Sequence, residues 1–273
     1  MKIAEALPHI FKRTYPVLES KTQLLLAASL LRFHQIDSIP IGFQKNQKRH
    51  LAVLGYSCLS KLLQTDPSQY KAFLDEPCEN AAQELLMISS EADIEKLLRL
   101  FDNSKFGFAM VEGKFELGAL VSLRDLLDLY KRNLMSTSLI ISQVGSPIFS
   151  MPRSSTLREV LMEMFTRQFR RIFLEGDGMN NVITDRRIIS YVFSTARLDE
   201  ISSHSPSNML DTTVGKIDTM QPANLPGNTK VKDASATMME QIEECLVSEE
   251  TVITPWDMIM KPWKMGKLEL KRA

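Results

Sequence analysis

Residues 252–259 read Val-Ile-Thr-Pro-Trp-Asp-Met-Ile, which is a short apolar run, a hydroxyl residue and an aspartate three positions later. Residues 119–127 repeat this order as Ala-Leu-Val-Ser-Leu-Arg-Asp-Leu-Leu. Weaker copies occur at 182–187 and at 53–60. The hydroxyl positions of the four copies are separated by 122 − 57 = 65, 184 − 122 = 62 and 254 − 184 = 70 residues. This near-constant spacing predicts one supersecondary unit that is used four times.

Each copy marks a junction where a strand ends and a helix begins. The apolar run has the length of a buried strand, and Ser and Thr are favoured caps at the start of a helix. An acid three residues later completes a capping box, in which both side chains satisfy backbone N–H groups of the first turn. The sequence therefore predicts helices that begin near Ser57, Ser122, Thr184 and Thr254.

The residues upstream of each junction predict the same three elements. In the third copy these are a strand at 147–151, a helix opened by Thr156 and a second strand at 170–174. The apolar residues of that helix recur at helical spacing, which makes each unit β-α-β-β-α. The other first helices are predicted at 23–33, at 91–101 with Ser89 as its cap, and at 231–241.

Further stretches of the chain are typical of one known family. Residues 156–160 read Thr-Leu-Arg-Glu-Val at a helix start, and residues 34–41 read His-Gln-Ile-Asp-Ser-Ile-Pro-Ile into a strand. Residues 214–220 read Val-Gly-Lys-Ile-Asp-Thr-Met before the fourth copy, and Pro147-Ile148 opens the third. Together with the four junctions, these stretches resemble the cystathionine-β-synthase (CBS) domain family over most of residues 15–263.

The resemblance implies an α/β fold in which four CBS repeats pair through their sheets into two modules. Repeats 1 to 4 are expected at about 15–64, 82–130, 145–194 and 221–263. The strongest boundary in the sequence lies between repeats 2 and 3. It gives a first module at 1–133 and a second module at 134–273.

The resemblance also implies clefts that bind an adenosine-containing ligand such as AMP, ADP or ATP. A helix start offers free N–H groups and the positive end of the helix dipole. An aspartate one turn into the helix can accept hydrogen bonds from a ribose diol, and the hydroxyl can reach the sugar or a phosphate. Residues that match this pattern fully are Ser122 with Asp125 and Thr254 with Asp257.

The other two copies depart from the pattern. Ser57 is followed three residues later by Ser60, so a ribose site is not expected in the first copy. Thr184 is followed three residues later by Arg187, where an aspartate is expected. Both Thr184 and Arg187 are kept as candidate ligand contacts, and binding by the third copy is left open.

Two arginines, Arg170 and Arg171, precede the middle strand of the third copy. The resemblance implies that basic residues at this position reach phosphates. The alternative is a solvated helix C-terminus, where cations are favoured in any protein. With Asp257 on the ribose and these arginines on the phosphates, the second module is expected to carry the tighter nucleotide site.

Composition excludes several other classes of protein. Lys and Arg number 33 and Asp and Glu also number 33, so net charge gives no support for binding nucleic acid or a membrane. The apolar stretches are far shorter than the roughly 18 residues of a spanning helix. The three scattered cysteines predict free thiols in a reducing cytoplasm, and the four scattered histidines give no metal-binding spacing.

Two functions from different classes follow. The first is a regulatory protein that senses adenine nucleotides, assembles as a homodimer or a disc of modules, and acts on a separate regulated protein. The second is a structural or assembly protein with vestigial clefts, which acts through dimerisation and a partner protein. An enzyme is not expected, because no nucleophile–base pair, carboxylate dyad or catalytic cofactor motif is readable.

Overall fold

The computed structural model describes residues 1–34, 36–42, 51–112, 118–176, 181–202, 209–240 and 244–271. Its helices are α1 (Ile3–Ala6), α2 (Leu24–His34), α3 (Gly55–Gln64), α4 (Tyr70–Asp75), α5 (Ile94–Ser104), α6 (Leu123–Lys131), α7 (Ile141–Val144), α8 (Leu157–Arg167), α9 (Asp185–Val192), α10 (Thr195–Ser202), α11 (Val231–Glu240) and α12 (Pro255–Lys264). Short 3-10 turns lie at Pro8–Lys12, Pro67–Gln69, Cys78–Ala81, Met209–Asp211 and Val214–Lys216.

The strands are β1 (Ser38–Pro40), β2 (Leu51–Leu54), β3 (Ala82–Glu84), β4 (Met87–Ser89), β5 (Phe108–Glu112), β6 (Ala119–Ser122), β7 (Met135–Ser136), β8 (Ser146–Pro147), β9 (Ser150–Met151), β10 (Arg171–Leu174), β11 (Val182–Thr184), β12 (Leu246–Ser248), β13 (Thr251–Ile253) and β14 (Glu269–Leu270). They form small sheets ordered β1-β2-β3, β4-β5-β6, β11-β10-β9, β12-β13-β8 and β14-β7.

The strand directions confirm the four-fold repeat. In repeat 2 the first strand, β4, is parallel to β5, and β5 is antiparallel to β6. Repeat 3 has the same pattern in β9, β10 and β11. In repeats 1 and 4 the first strand is only a single parallel bridge, which joins Leu18 to Ile41 in repeat 1 and Asn224 to Val247 in repeat 4. The predicted α/β fold of β-α-β-β-α units is therefore correct.

The first helix of every repeat buries residues at i, i+3, i+4 and i+7, which line one face of an α-helix. These residues are Leu24, Ala27, Ala28 and Leu31 in α2; Ile94, Leu97, Leu98 and Phe101 in α5; Leu157, Val160, Leu161 and Met164 in α8; and Val231, Ala234, Ser235 and Met238 in α11.

Some predicted boundaries were wrong. Helix α5 begins at Ile94 with Asp93 at its cap position, and Ser89 closes the preceding strand. The strand predicted at 147–151 is two strands, because Ser146–Pro147 pairs with β13 and Ser150–Met151 pairs with β10. Helix α11 is described to Glu240, and the predicted last residue, Gln241, lies outside the described residues.

The chain divides into two compact units, which do not coincide with the predicted modules at 1–133 and 134–273. Unit 1 comprises residues 1–14, 86–148 and 222–273, and it contains repeats 2 and 4. Unit 2 comprises residues 15–85 and 149–221, and it contains repeats 1 and 3.

Helix faces produce this division. In unit 1, α6 packs against α11 and α12. In unit 2, α3 packs against α8 and α9, and α2 packs against α9. A repeat with an apolar sheet and apolar helices has two surfaces to bury, and the order of repeats along the chain does not say which surface builds the larger core. The predicted pairing of sheets, repeat 1 with 2 and repeat 3 with 4, stays a prediction.

Each connecting segment packs on a repeat other than the one that follows it in the chain. The first N–H of each first helix donates to a carbonyl oxygen of such a segment, which satisfies a donor that a helix start leaves open. The pairs are Leu24 to Glu76 at 2.8 Å, Ile94 to Met1 at 3.0 Å, Leu157 to Thr212 at 2.9 Å and Val231 to Leu139 at 3.2 Å. Residues 1–14 thus precede repeat 1 but pack on repeat 2.

Two further features bear on the sequence predictions. Cys58, Cys78 and Cys245 are buried, and no disulfide joins them within the described ranges. Within the described ranges, no helix has both the length and the apolar character needed to cross a bilayer.

Candidate functional site

The starts of the four second helices are structurally equivalent. Strand register aligns them, because Ser38 pairs with Leu54, Phe108 with Ser122 and Arg171 with Thr184. The cap residues are therefore Leu54, Ser122, Thr184 and Thr254 in repeats 1 to 4. The third helical residues, called N3 below, are Ser57, Asp125, Arg187 and Asp257.

This alignment corrects the prediction for repeat 1. Ser57 is at N3, where the other repeats carry Asp or Arg, and it is not the cap. The apolar run ends at Leu54, so repeat 1 lacks the hydroxyl as well as the carboxylate. Ser57 is buried, and among the described residues its hydroxyl has no hydrogen-bond partner.

Repeat 4 has a complete capping box. The backbone N–H and the hydroxyl of Thr254 donate to Asp257 Oδ2 at 2.8 and 2.7 Å. Pro255 occupies the first helical position, where the missing N–H costs nothing and the fixed φ suits a helix. Asp257 is 3% exposed, so this carboxylate is buried at the helix start.

The second oxygen of Asp257 is also engaged. Ser146 Oγ donates to Asp257 Oδ1 at 2.7 Å, and Lys261 Nζ lies 2.9 Å from the same oxygen. Lys261 Nζ also donates to the carbonyl oxygens of Val144 and Gly145 at 2.6 and 2.9 Å. Lys261 lies four residues after Asp257, so its contribution was readable from helical spacing, whereas that of Ser146 was not.

Repeat 2 has the same capping box. The backbone N–H and the hydroxyl of Ser122 donate to Asp125 Oδ2 at 2.7 and 2.8 Å. Asp125 is 6% exposed and lies on the α6 face that packs within unit 1. The predicted pairs Ser122–Asp125 and Thr254–Asp257 are therefore adjacent in the structure, each at the first turn of its helix.

Two basic residues that the local sequence pattern did not indicate, Arg13 and His9, approach Asp125. Arg13 Nη1 lies 2.5 Å from Asp125 Oδ1, and His9 Nε2 lies 3.9 Å from it. Burial alone would raise the pKa of Asp125, but His9, Arg13 and the Ser122 hydrogen bonds hold it below its ordinary value. More than a hundred residues separate His9 and Arg13 from Asp125, so no local pattern indicates either contact.

Repeat 3 reverses the charge at this position. Thr184 is fully buried and caps α9, and its hydroxyl accepts a hydrogen bond from the Arg187 N–H at 3.3 Å. The Arg187 guanidinium pairs with Asp218, which belongs to a connecting segment of unit 2. Arg171 lies in β10 directly opposite Thr184.

Arg170 belongs to a cluster of four charged residues in unit 2, formed with Asp37, Asp185 and Arg186. Arg170 Nη2 lies 2.9 Å from Asp37 and 2.6 Å from Asp185. Arg186 Nε lies 2.7 Å from Asp37. We call this set the unit 2 cluster. Two arginines and two aspartates make its formal charge zero.

The unit 2 cluster stabilises the charged forms of Asp37 and Arg170. Burial would raise the pKa of Asp37, but Arg170 and Arg186 lower it far below its ordinary value. Burial would lower the pKa of Arg170, but Asp185 and Asp37 raise it. Asp37 comes from repeat 1 and the other members come from repeat 3, so the cluster joins the two repeats of unit 2. Its neutrality weakens the attraction for phosphate that was predicted for Arg170.

The described residues contain no group of three or more His, Cys, Asp or Glu side chains arranged to hold a metal ion. What the geometry offers instead is a pair of buried carboxylates at helix starts in unit 1. Such carboxylates can accept hydrogen bonds from hydroxyl or amide donors of a ligand. In unit 2 the equivalent positions hold Ser57 and Arg187.

Comparison with known proteins identifies the fold. No protein-family model matches this chain, and no curated protein matches its sequence. Among solved structures, a protein from Methanocaldococcus jannaschii, described as a proposed archaeal homologue of γ-AMPK, has a TM-score of 0.82. The match covers 96% of this chain and 100% of that protein at 14% identity.

Two other solved structures are less similar. An uncharacterised conserved protein from Pyrococcus horikoshii has a TM-score of 0.50 at 10% identity, covering 81% of this chain and 89% of its own. A CBS domain protein from Pyrobaculum aerophilum, complexed with AMP, has a TM-score of 0.37 at 18% identity, covering 46% and 90%. The chain has the CBS-domain fold, as the sequence resemblance predicted.

Proposed function

We propose that this chain is a regulatory protein that senses an adenine nucleotide, and that unit 1 carries the binding residues. The observation that supports this most is the pair of buried aspartates, Asp125 and Asp257, at equivalent helix starts. Each sits one turn into a helix, beside the positive end of the helix dipole, with a hydroxyl residue at the cap. In this proposal the carboxylates accept hydrogen bonds from the ribose hydroxyls of AMP, ADP or ATP.

In this proposal, nucleotide binding replaces the protein groups that donate hydrogen bonds to the aspartate with hydroxyl groups of the ligand. In repeat 4, Ser146 and Lys261 donate to Asp257 Oδ1. Ribose hydroxyls would take over these positions, and the displaced Lys261 would become available to a phosphate. The net affinity is then the difference between two sets of charge-assisted hydrogen bonds.

The assembly-protein hypothesis is supported by unit 2. Its N3 positions lack an aspartate, and the unit 2 cluster neutralises Arg170. We therefore propose that unit 2 is the structural half of the molecule. Ligand contacts by Arg170, Arg171, Thr184 and Arg187 stay predictions.

The remaining parts of the proposal concern how the chain acts. It is proposed to be non-catalytic and cytoplasmic, and to act on a separate regulated protein as a homodimer or disc-like assembly. Support comes from the CBS-domain fold and from carboxylates that are engaged in helix caps rather than paired as an acid and a base.

Calorimetric titration of the full chain with AMP, ADP, ATP and S-adenosylmethionine tests the proposal. At least one ligand should bind, with no more than two sites per chain. Asp125→Asn and Asp257→Asn should each weaken one site by about 10- to 100-fold, the effect of about 1.5–3 kcal/mol for a hydrogen bond to a charged group.

Asp128→Asn, on the same helix as Asp125 but paired with Arg132 at the surface, is the matched control and should leave binding unchanged. Absence of binding at millimolar ligand would reject nucleotide sensing. Unchanged affinity in both N3 variants would reject the assigned residues.

A further inference from the structure

The first 13 residues of the chain are built into unit 1. The Met1 amino group pairs with Asp93 at 3.0 Å, and Lys2 Nζ pairs with Glu91 at 2.7 Å. Four apolar side chains of this segment are buried in the core of unit 1, namely Ile3, Ala6, Leu7 and Ile10. The segment therefore has a defined position over repeat 2.

The end of this segment reaches the repeat 2 carboxylate. Arg13 Nη1 contacts Asp125 Oδ1 at 2.5 Å, while both hydrogen bonds from Ser122 go to Oδ2. The Asp125 side chain is 5% exposed and the Arg13 side chain is 50% exposed. Arg13 thus forms the outer layer over Asp125, on the oxygen that the cap leaves available.

The cation of repeat 4 is held differently. Lys261 belongs to the same helix as Asp257, and three further acceptors from residues 144–146 fix its ammonium group. Arg13 lies just beyond a short 3-10 turn, outside any longer helix. Moving Arg13 away from its carboxylate therefore disturbs less structure than moving Lys261.

We propose that Arg13 is a latch on the repeat 2 site, in which its guanidinium occupies the Asp125 oxygen that a ribose hydroxyl needs. The inference rests on the proposed function and adds to it a device that sets affinity. A ribose-containing ligand binds repeat 2 only when Arg13 swings away. The apparent affinity is then the intrinsic affinity reduced by the fraction of molecules with an open latch.

Adenosine is the probe that isolates the competition between Arg13 and a ribose hydroxyl for Asp125, because it has the ribose and no phosphate. The titrations use the full chain in an Asp257→Asn background, which leaves the repeat 2 site. Arg13→Gln should bind adenosine about 3- to 10-fold more tightly than the background protein, since a partly exposed ion pair no longer has to open. Lys12→Gln, an exposed neighbour with the same charge change, should have no effect.

AMP separates the latch from a ligand-contacting role. If Arg13 contacts the phosphate, Arg13→Gln weakens AMP binding and leaves adenosine binding unchanged, which overturns the latch. Equal or weaker adenosine binding by Arg13→Gln also overturns it, while the proposed function survives if AMP still binds. If no variant binds adenosine or AMP, the latch fails, and titration of the unchanged chain with AMP, ADP and ATP then shows whether the proposed function fails with it. Near-ultraviolet circular dichroism of each variant verifies that it is folded.

Discussion

Unit 1 and unit 2 are built from the same elements but differ at the starts of their second helices. In unit 1 both N3 residues are buried aspartates behind a hydroxyl cap, Asp125 and Asp257. In unit 2 they are Ser57 behind an apolar residue and Arg187 behind Thr184. The difference separates what the fold requires from what a ligand would require.

Repeat 3 shows that the fold does not require an aspartate. Its helix starts in the same register with Arg187 at N3, and an opposite charge from a connecting segment, Asp218, pairs with it. Arg13 supplies the opposite charge to Asp125 in the same way. A charged N3 residue of either sign can thus be accommodated, so the two aspartates of unit 1 are free to serve another purpose.

The largest expected effect concerns the unit 2 cluster. Arg170→Ala removes the guanidinium between Asp37 and Asp185, and leaves Asp185, whose side chain is 4% exposed, without that partner. Breaking a buried pair on one side costs several kcal/mol, and partial exposure of Arg170 reduces this to about 2–4 kcal/mol of unfolding free energy. Urea denaturation of the full chain measures it.

The control for Arg170 is Arg99→Ala in unit 1, which breaks a surface pair with Glu95 on one helix. It should cost less than about 0.5 kcal/mol. If the two variants are equally mild, the cluster does not hold unit 2 together, and its arginines would again be candidates for phosphate contact.

A smaller effect tests the packing of repeat 1 on repeat 3. A methyl group at Gly55 would overlap the Ile189 side chain of α9. Gly55→Ala should cost about 1–2 kcal/mol, because an overpacked core must shift. Ile189→Val removes the overlapping methyl, so the double variant should recover part of the loss. Full stability of Gly55→Ala would show that the Cδ1 end of Ile189 moves aside, and would contradict tight packing of α3 on α9 at this point.

The smallest expected effect is a loss of unfolding free energy at acidic pH. The pKa of Asp37 is lower in the folded protein than in the unfolded chain, so its contribution to stability is complete above the unfolded pKa, near 3.9, and is lost as the pH falls below it. Between about pH 5 and about pH 3 this loss should be about 1 kcal/mol. Asp37→Asn should remove it, and equal slopes of unfolding free energy against pH would show that Asp37 is not held by the two arginines.

Local patterns predicted much of the fold and part of the site. Apolar spacing located α2 to within one residue. The cap residues Thr156 and Thr254 located the starts of α8 and α12, and the capping motif located Asp125 and Asp257. Repeat 1 was misaligned because Ser57 is the first serine or threonine after its apolar run, while register with Ser38 places Leu54 at the cap.

Long-range contacts could not be predicted in the same way. Arg13, Asp37 and Ser146 each reach a partner more than a hundred residues away, and a single sequence contains no signal for such pairs. The division into two compact units, one with repeats 2 and 4 and one with repeats 1 and 3, had no signal in the sequence either. It depends on which apolar face buries more surface, and spacing along the chain does not reveal that.

The central claim is that unit 1 binds the nucleotide and unit 2 does not. Titration of the full chain with the best ligand of the AMP, ADP and ATP series should compare two double variants, Asp125→Asn/Asp257→Asn in unit 1 and Ser57→Ala/Arg187→Gln in unit 2. The unit 1 variant should bind at least about 10-fold more weakly, while the unit 2 variant should bind like the unchanged protein. Loss of binding in the unit 2 variant, with full binding in the unit 1 variant, would contradict the claim.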